Sequence, residues 1–208
     1  YVSDLQSEFY DGLLLNCLLE CITRSSVPGL NMQPATEKDR HENFMVAFRF
    51  LHSIGKPIPT TDVNLLCAMD LGAILDLLWM ILYRFEVEIK QYNGYSGIDA
   101  ILYWVTDTVA GYPGCTIVDF TTSFQNGLVF NAILHRHNTK LFNHLLMHPF
   151  EKYENLHQAF TLAEQNWSVP QLLDYADVAD APDVISVLIY LVQLFDLVQV
   201  QSATSSFF

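Results

Sequence analysis

Apolar residues recur along this chain at helical spacing. Asn43, Ala47, Phe50, Leu51 and Ile54 mark one stripe, and Asn155, Leu156, Ala159, Phe160 and Ala163 mark a second. Each follows the i, i+3, i+4 pattern of a helix with one buried face. Two longer stretches, Ala73 to Phe85 and Asp183 to Val198, are apolar on nearly every face and predict buried central helices. The first is broken by Asp76 and Arg84 and falls short of the ~20 apolar residues that a bilayer span requires. Pro57-Ile58-Pro59, Gly111-Tyr112-Pro113-Gly114 and Ala181-Pro182 punctuate the pattern, and Ser168-Val169-Pro170 predicts the start of another short helix. Strand-like alternation is absent over any useful length, so the predicted fold class is all-α.

The pattern occurs twice. The segment from Tyr10-Asp11-Gly12 through Asn16 to Leu19 aligns with Gln125-Asn126-Gly127 through Asn131 to Leu134 at an offset of 115. Glu42-Asn43-Phe44 with Ala47-Phe48 aligns with Glu154-Asn155-Leu156 with Ala159-Phe160 at an offset of 112. The apolar helix around Trp79 meets that around Leu191 at the same offset. Three landmarks in one order predict two homologous helical domains in tandem. Their expected bounds are 1–90 and 98–200, with a polar, glycine-containing linker at 91–97 and a tail at 201–208 that loses periodicity.

Composition narrows the function. Hydrophobic residues make up 51% of the 208 and charged residues 16%, ample for two packed cores. The net charge is −13, with no basic run, which speaks against nucleic acid and anionic membrane surfaces as partners. Cys17, Cys21, Cys67 and Cys115 contain no CxxC pair and sit in apolar surroundings, so reduced core thiols of a cytosolic protein are expected.

Catalytic and metal chemistry find little support. His135, His137, His144 and His148 include one pair four residues apart, but no Cys or Glu stands at zinc-site spacing. Asp174, Asp177, Asp180 and Asp183 recur every third position, without the alternation and glycine of a calcium loop, and read as helix caps. Cys115 and Ser123 have no patterned base, and Asn166-Trp167-Ser168 reads as an accidental glycosylation match. No enzyme and no cofactor is expected.

A family resemblance is carried by Ile101-Leu102-Tyr103-Trp104, Ile117 to Phe124, Gly127 to His137, Leu172-Leu173-Asp174 and Pro182-Asp183 with Ser186 and Tyr190. Over nearly its whole length the second repeat is similar to the second calponin-homology domain of the spectrin, α-actinin and filamin class. Asp11-Gly12-Leu13, Glu42-Asn43, Ala47 to Leu51 and Leu77 to Phe85, centred on Trp79, resemble the first such domain. The resemblance implies a cytoplasmic, cytoskeletal F-actin-binding module of a cross-linking protein, engaging filaments mainly through its first domain. The alternative is a calponin-homology interaction scaffold that has lost actin binding and docks other cytoskeletal or adhesion proteins.

In that family, actin contacts lie on the first helix of domain one, on its last long helix with the preceding loop, and on the first helix of domain two. The opening helix, with its own buried tryptophan, should precede Asp4, so truncation and an uncovered apolar patch are expected. On the second surface, Asp70, Leu71 and Asp76 stand where basic, polar or small residues are usual, with Met80, Tyr83, Arg84 and Lys90 as further candidate contacts. The third surface, Ile98 to Gly111, carries Asp99 and Asp107 and no basic residue, leaving phosphoinositide binding without a footing. The resemblance also makes Trp79 and Trp104 core anchors, and makes His135-Arg136-His137 a helix cap.

Overall fold

A computed structural model describes residues 3–59 and 61–205, with side chains as far as Val198. The chain divides into two compact units, Tyr1–Glu86 and Val87–Phe208. Nearly all the regular structure is helical, and among the described residues no helix is long and apolar enough to cross a membrane.

The first unit contains α1 (Leu5–Phe9), α2 (Leu13–Thr23), α3 (Glu37–Ser53), α4 (Val63–Cys67) and α5 (Leu71–Leu82), which runs into a π-turn at Tyr83–Val87. Short polar side chains start these helices by accepting orphan backbone N–H groups. Asp4 serves α1, Asp62 serves α4 and Asp70 serves α5, while Thr36 and Asp39 form a reciprocal capping box at α3. The buried faces meet in a core of Phe9, Leu15, Leu19, Phe44, Ala47, Leu51, Leu66, Ile74 and Leu77.

The second unit opens on a two-residue hairpin, β1 (Gln91–Tyr92) against β2 (Tyr95–Ser96), turned at Asn93-Gly94. Both turn residues have positive φ, +47° and +87°, the geometry that favours Asn-Gly there. The segment expected as a linker therefore has a small antiparallel ladder of its own. Next come α6 (Gly97–Thr108), α7 (Leu128–His137), a 3₁₀ turn (His144–Leu146), α8 (Lys152–Trp167), α9 (Tyr175–Asp180) and α10 (Val184–Ser205). Pro170 starts no helix; residues 168–174 are irregular and α9 begins after them, capped by Asp174. Of the expected tail, 201–205 continue α10 and 206–208 lie outside the described residues.

Each unit pins its core with the same pair of buried amides. Asn16 Nδ2 donates to Gly12 O (2.8 Å) and Asn43 O (3.0 Å), and Asn131 Nδ2 donates to Gly127 O (2.9 Å) and Asn155 O (2.7 Å). Asn43 in turn donates to the carbonyls of Asp11 and Asn31, and Asn155 to those of Asn126 and His148. Buried carbonyls at the helix starts thus gain partners that the helices themselves cannot supply. The glycines beside them are required by space as well as by φ. A Cβ on Gly127 (φ +72°) would lie 2.7 Å from Leu156 N, and one on Gly12 (φ +76°) would lie 2.9 Å from Asn43 Cβ.

Candidate partner-binding surface

The surface is set by α5 and what starts it. Asp70 accepts from Ala73 N at 2.8 Å, so its carboxylate serves as the N-cap of α5. The preceding residue, Met69, is held at φ +61°, and its carbonyl accepts from Gln6 Nε2 at 2.8 Å, which ties α1 to the entry of α5. From there Ala73, Ile74, Leu77 and Ile81 turn into the core.

The opposite arc of α5 is open. Leu71 and Leu75 are 44% and 50% exposed, Asp76 and Gly72 are exposed, and Trp79 is half-buried with its ring 5.9 Å from that of Tyr83. Leu71, Leu75 and Trp79 recur every four residues, so they form one apolar edge. Tyr83 and Asp76 lie beside that edge, and Met80 is half-buried against the core. Two expectations are corrected here: α5 is not buried on all faces, and Trp79 is not a fully enclosed anchor. Cys17 and Cys21 of α2 are likewise exposed rather than core thiols.

The physical reason is visible in the second unit. There α6 packs on α10, and Trp104, 2% exposed, meets Phe195 edge-on at 5.2 Å. Val187 and Leu191, the counterparts of Leu75 and Trp79 at the repeat offset, are fully buried. Among the described residues of the first unit, no helix occupies the place that α6 takes in the second.

The eight candidate contacts divide between the two units. Asp70, Leu71, Asp76, Met80, Tyr83 and Arg84 belong to the first unit, and Lys90 and Asp107 to the second. Arg84 is half-buried, and its carbonyl accepts from Lys56 Nζ at 3.0 Å. Lys90 is 8% exposed and donates to both carboxylate oxygens of Asp196 at 2.7 Å, so it is no surface contact. Asp107 is exposed on α6, where it accepts from Tyr92 Oη (3.1 Å) and Asn93 Nδ2 (3.3 Å) and fastens the hairpin to the helix. Leu75 is the surface residue that the sequence left unmarked. Its only signal is its place one turn beyond Leu71.

The polar clusters resolve into structural roles. Arg136 donates to Thr108 O and Ala110 O at the end of α6 rather than capping its own helix, and His135 Nδ1 lies 2.8 Å from Tyr112 Oη. Asp174 caps α9, Asp183 accepts from Ser186 N, and Asp180 pairs with Lys152 and Tyr153. Asp119 accepts from Thr122 Oγ1 and from the backbone N–H groups of Ser123 and Thr121, which hold its carboxyl well below the usual range. Burial pushes the Cys115 thiol up to about 11, the opposite of an activated nucleophile. Among the described residues no group of three His, Cys, Asp or Glu side chains is placed to hold a metal ion.

With this geometry in view, the comparisons with known proteins are specific. Residues 97–200, half of the chain, match the calponin homology (CH) domain. The chain is 30% identical over 177 residues to Alpha-actinin A of Dictyostelium discoideum, covering 85% of this chain and 21% of that protein. It is 30% identical over 178 residues to Alpha-actinin-like protein 1 of Schizosaccharomyces pombe, covering 85% and 29%. With Spectrin beta chain, non-erythrocytic 4 of Homo sapiens it shares 31% over 187 residues, covering 86% and 7%. The chain thus spans less than a third of the length of each of these relatives.

Proposed function

Because the chain belongs to the calponin-homology domain family, we propose that it is a tandem calponin-homology module that binds F-actin within a cytoplasmic cytoskeletal cross-linking protein. The alignments with α-actinin and spectrin relatives extend over about 85% of the chain, well beyond residues 97–200, which supports reading the first unit as a second member of the family. The matched amide pairs, Asn16 with Asn43 and Asn131 with Asn155, support the same reading.

The observation that carries the actin assignment is the similarity to α-actinin and spectrin relatives over about 85% of the chain, with α5 and its entry as the candidate contact surface. Leu71, Leu75, Trp79 and Tyr83 offer apolar and aromatic surface on a rigid helix whose start is fixed by Asp70. Contacts of this kind depend on desolvated side chains and only weakly on long-range attraction. With a net charge of −13 the chain is repelled by an acidic filament and salt screens that repulsion, so binding should hold or strengthen as salt rises. Co-sedimentation tests this: the chain pellets with F-actin at about 50 and about 150 mM salt, and Leu75→Asp abolishes pelleting while leaving the circular dichroism unchanged. A folded chain that stays in the supernatant would remove the assignment.

A second reading is favoured by a specific feature of the same arc. Acidic Asp70 and Asp76 flank the exposed leucines, and acidic side chains there disfavour an acidic filament. On this reading the module is a scaffold that has lost actin binding and accepts an apolar helix from a cytoskeletal or adhesion partner along Leu71 and Leu75.

A further inference from the structure

The turn that follows α7 is tied to α8 at its far end, where Asn155 Nδ2 donates to His148 O at 2.9 Å, and to the start of α7 by His144. His144 is 4% exposed, and its Nε2 lies 3.1 Å from Leu128 O at the start of α7. A carbonyl only accepts, so Nε2 carries the hydrogen and Nδ1 presents a bare lone pair. That Nδ1 is buried and has no hydrogen-bond partner. A neutral ring fits this place, whereas a protonated ring would set a second N–H and a full charge against nothing that can receive them.

The surrounding groups reinforce the point. From the segment after α6, Tyr112 meets the ring edge-on at 4.8 Å between centroids, and Cys115 Sγ lies 4.0 Å from Nε2. From α7, His135 approaches with ring centroids 6.2 Å apart. Arg136 sits with its guanidinium 5.0 Å from the centre of the Tyr112 ring, adding a fixed positive charge to the cluster. None of these four groups is a carboxylate. His135 differs from His144 because its Nδ1 has a partner in the Tyr112 hydroxyl, which can either donate or accept.

We propose that His144 is an acid-operated latch: neutral, it fastens the 143–148 turn to the start of α7, and protonation releases that turn. The turn bears Leu145 and Leu146, exposed at 74% and 76%, so the latch controls how firmly an apolar loop is presented. Desolvation, and to a smaller degree His135, hold the His144 pKa below its ordinary value against the opposing pull of the Leu128 carbonyl. The released form binds the proton more readily than the latched form. Latching is therefore constant above the ordinary histidine pKa of about 6.5. Below it the open population grows by about tenfold per pH unit until the latched ring itself titrates.

The test is an NMR titration of the imidazole nitrogens in the whole chain, with amide exchange of 141–150 corrected for its intrinsic pH dependence. The latch predicts a His144 midpoint below that of an ordinary histidine, Nε2–H as the neutral tautomer, and exchange in 141–150 that accelerates as pH falls below about 6.5. His144→Gln, which keeps an N–H for Leu128 O, abolishes that acceleration, whereas His135→Gln retains it. An ordinary or raised His144 midpoint in the unmodified chain would overturn the proposal, whether or not the variants fold. So would pH-dependent opening that survives in a folded H144Q chain.

Discussion

Gly127 carries the sharpest energetic consequence of the fold. Replacing it by alanine forces an L side chain to φ +72° and places a Cβ 2.7 Å from Leu156 N, 2.8 Å from Asn155 Cβ and 2.9 Å from Asn155 C. The left-handed backbone costs roughly 1–2 kcal/mol for a residue with a Cβ. The clash is with the backbone of α8, which cannot swing aside, and overpacking of that kind costs about 1–3 kcal/mol. Restricting the unfolded chain returns about 0.4–1 kcal/mol. The net loss is about 1–5 kcal/mol, borne by the second unit. Gly111 is the control: its φ is +87°, but a Cβ there meets nothing within 4 Å, so Gly111→Ala retains only the net backbone cost, about 0–1.6 kcal/mol. Amide exchange of peptides from α7 and α8 measures both variants without assuming that the two units unfold together. Equal losses for the two variants would show that the close approach of α7 to α8 contributes nothing.

Further predictions follow from individual contacts. Asn131 Oδ1 accepts from Gln158 Nε2 at 3.2 Å, but Asn16 Oδ1 is buried without a partner, and Val46 stands at the position equivalent to Gln158. A glutamine there could supply the missing donor, so Val46→Gln should be more stable than Val46→Met by about 1 kcal/mol, read by urea unfolding. Asp70→Ala should cost about 0.5–2 kcal/mol through loss of the α5 cap while Asp70→Asn costs little, as followed by exchange in 71–77. With its thiol pushed up to about 11, Cys115 should react with iodoacetamide at pH 8 on the order of 100-fold more slowly than an ordinary thiol, rising tenfold per pH unit up to that value, as mass spectrometry would show.

Much of the architecture was legible because local and long-range signals agree. Gly12 and Gly127, each followed four residues later by an asparagine inside an apolar run, announce the same helix start twice. The stripe from Asn155 to Ala163 is buried throughout, as its spacing requires. What stayed hidden depends on partners far away in sequence. Lys90 reads as a surface cation until Asp196, 106 residues on, is found beside it. An all-apolar helix such as α5 gives no periodic sign of which side lacks a cover, so the exposure of Leu75 emerges only from packing. The Asn93-Gly94 turn did carry a hairpin signal, but two-residue strands are too short to alternate visibly. Asp70 shows both limits: its place before an apolar helix marks a cap, yet side-chain identity alone equally suits a binding contact.

A filament bound through the first unit would touch α5 and its entry. Amide-exchange footprinting of the chain with and without saturating F-actin measures this without any substitution. Protection concentrated over residues 69–80, with the core of α7 and α8 unchanged, is the predicted result. Protection confined to the second unit, or none despite measurable binding, would contradict the α5 assignment.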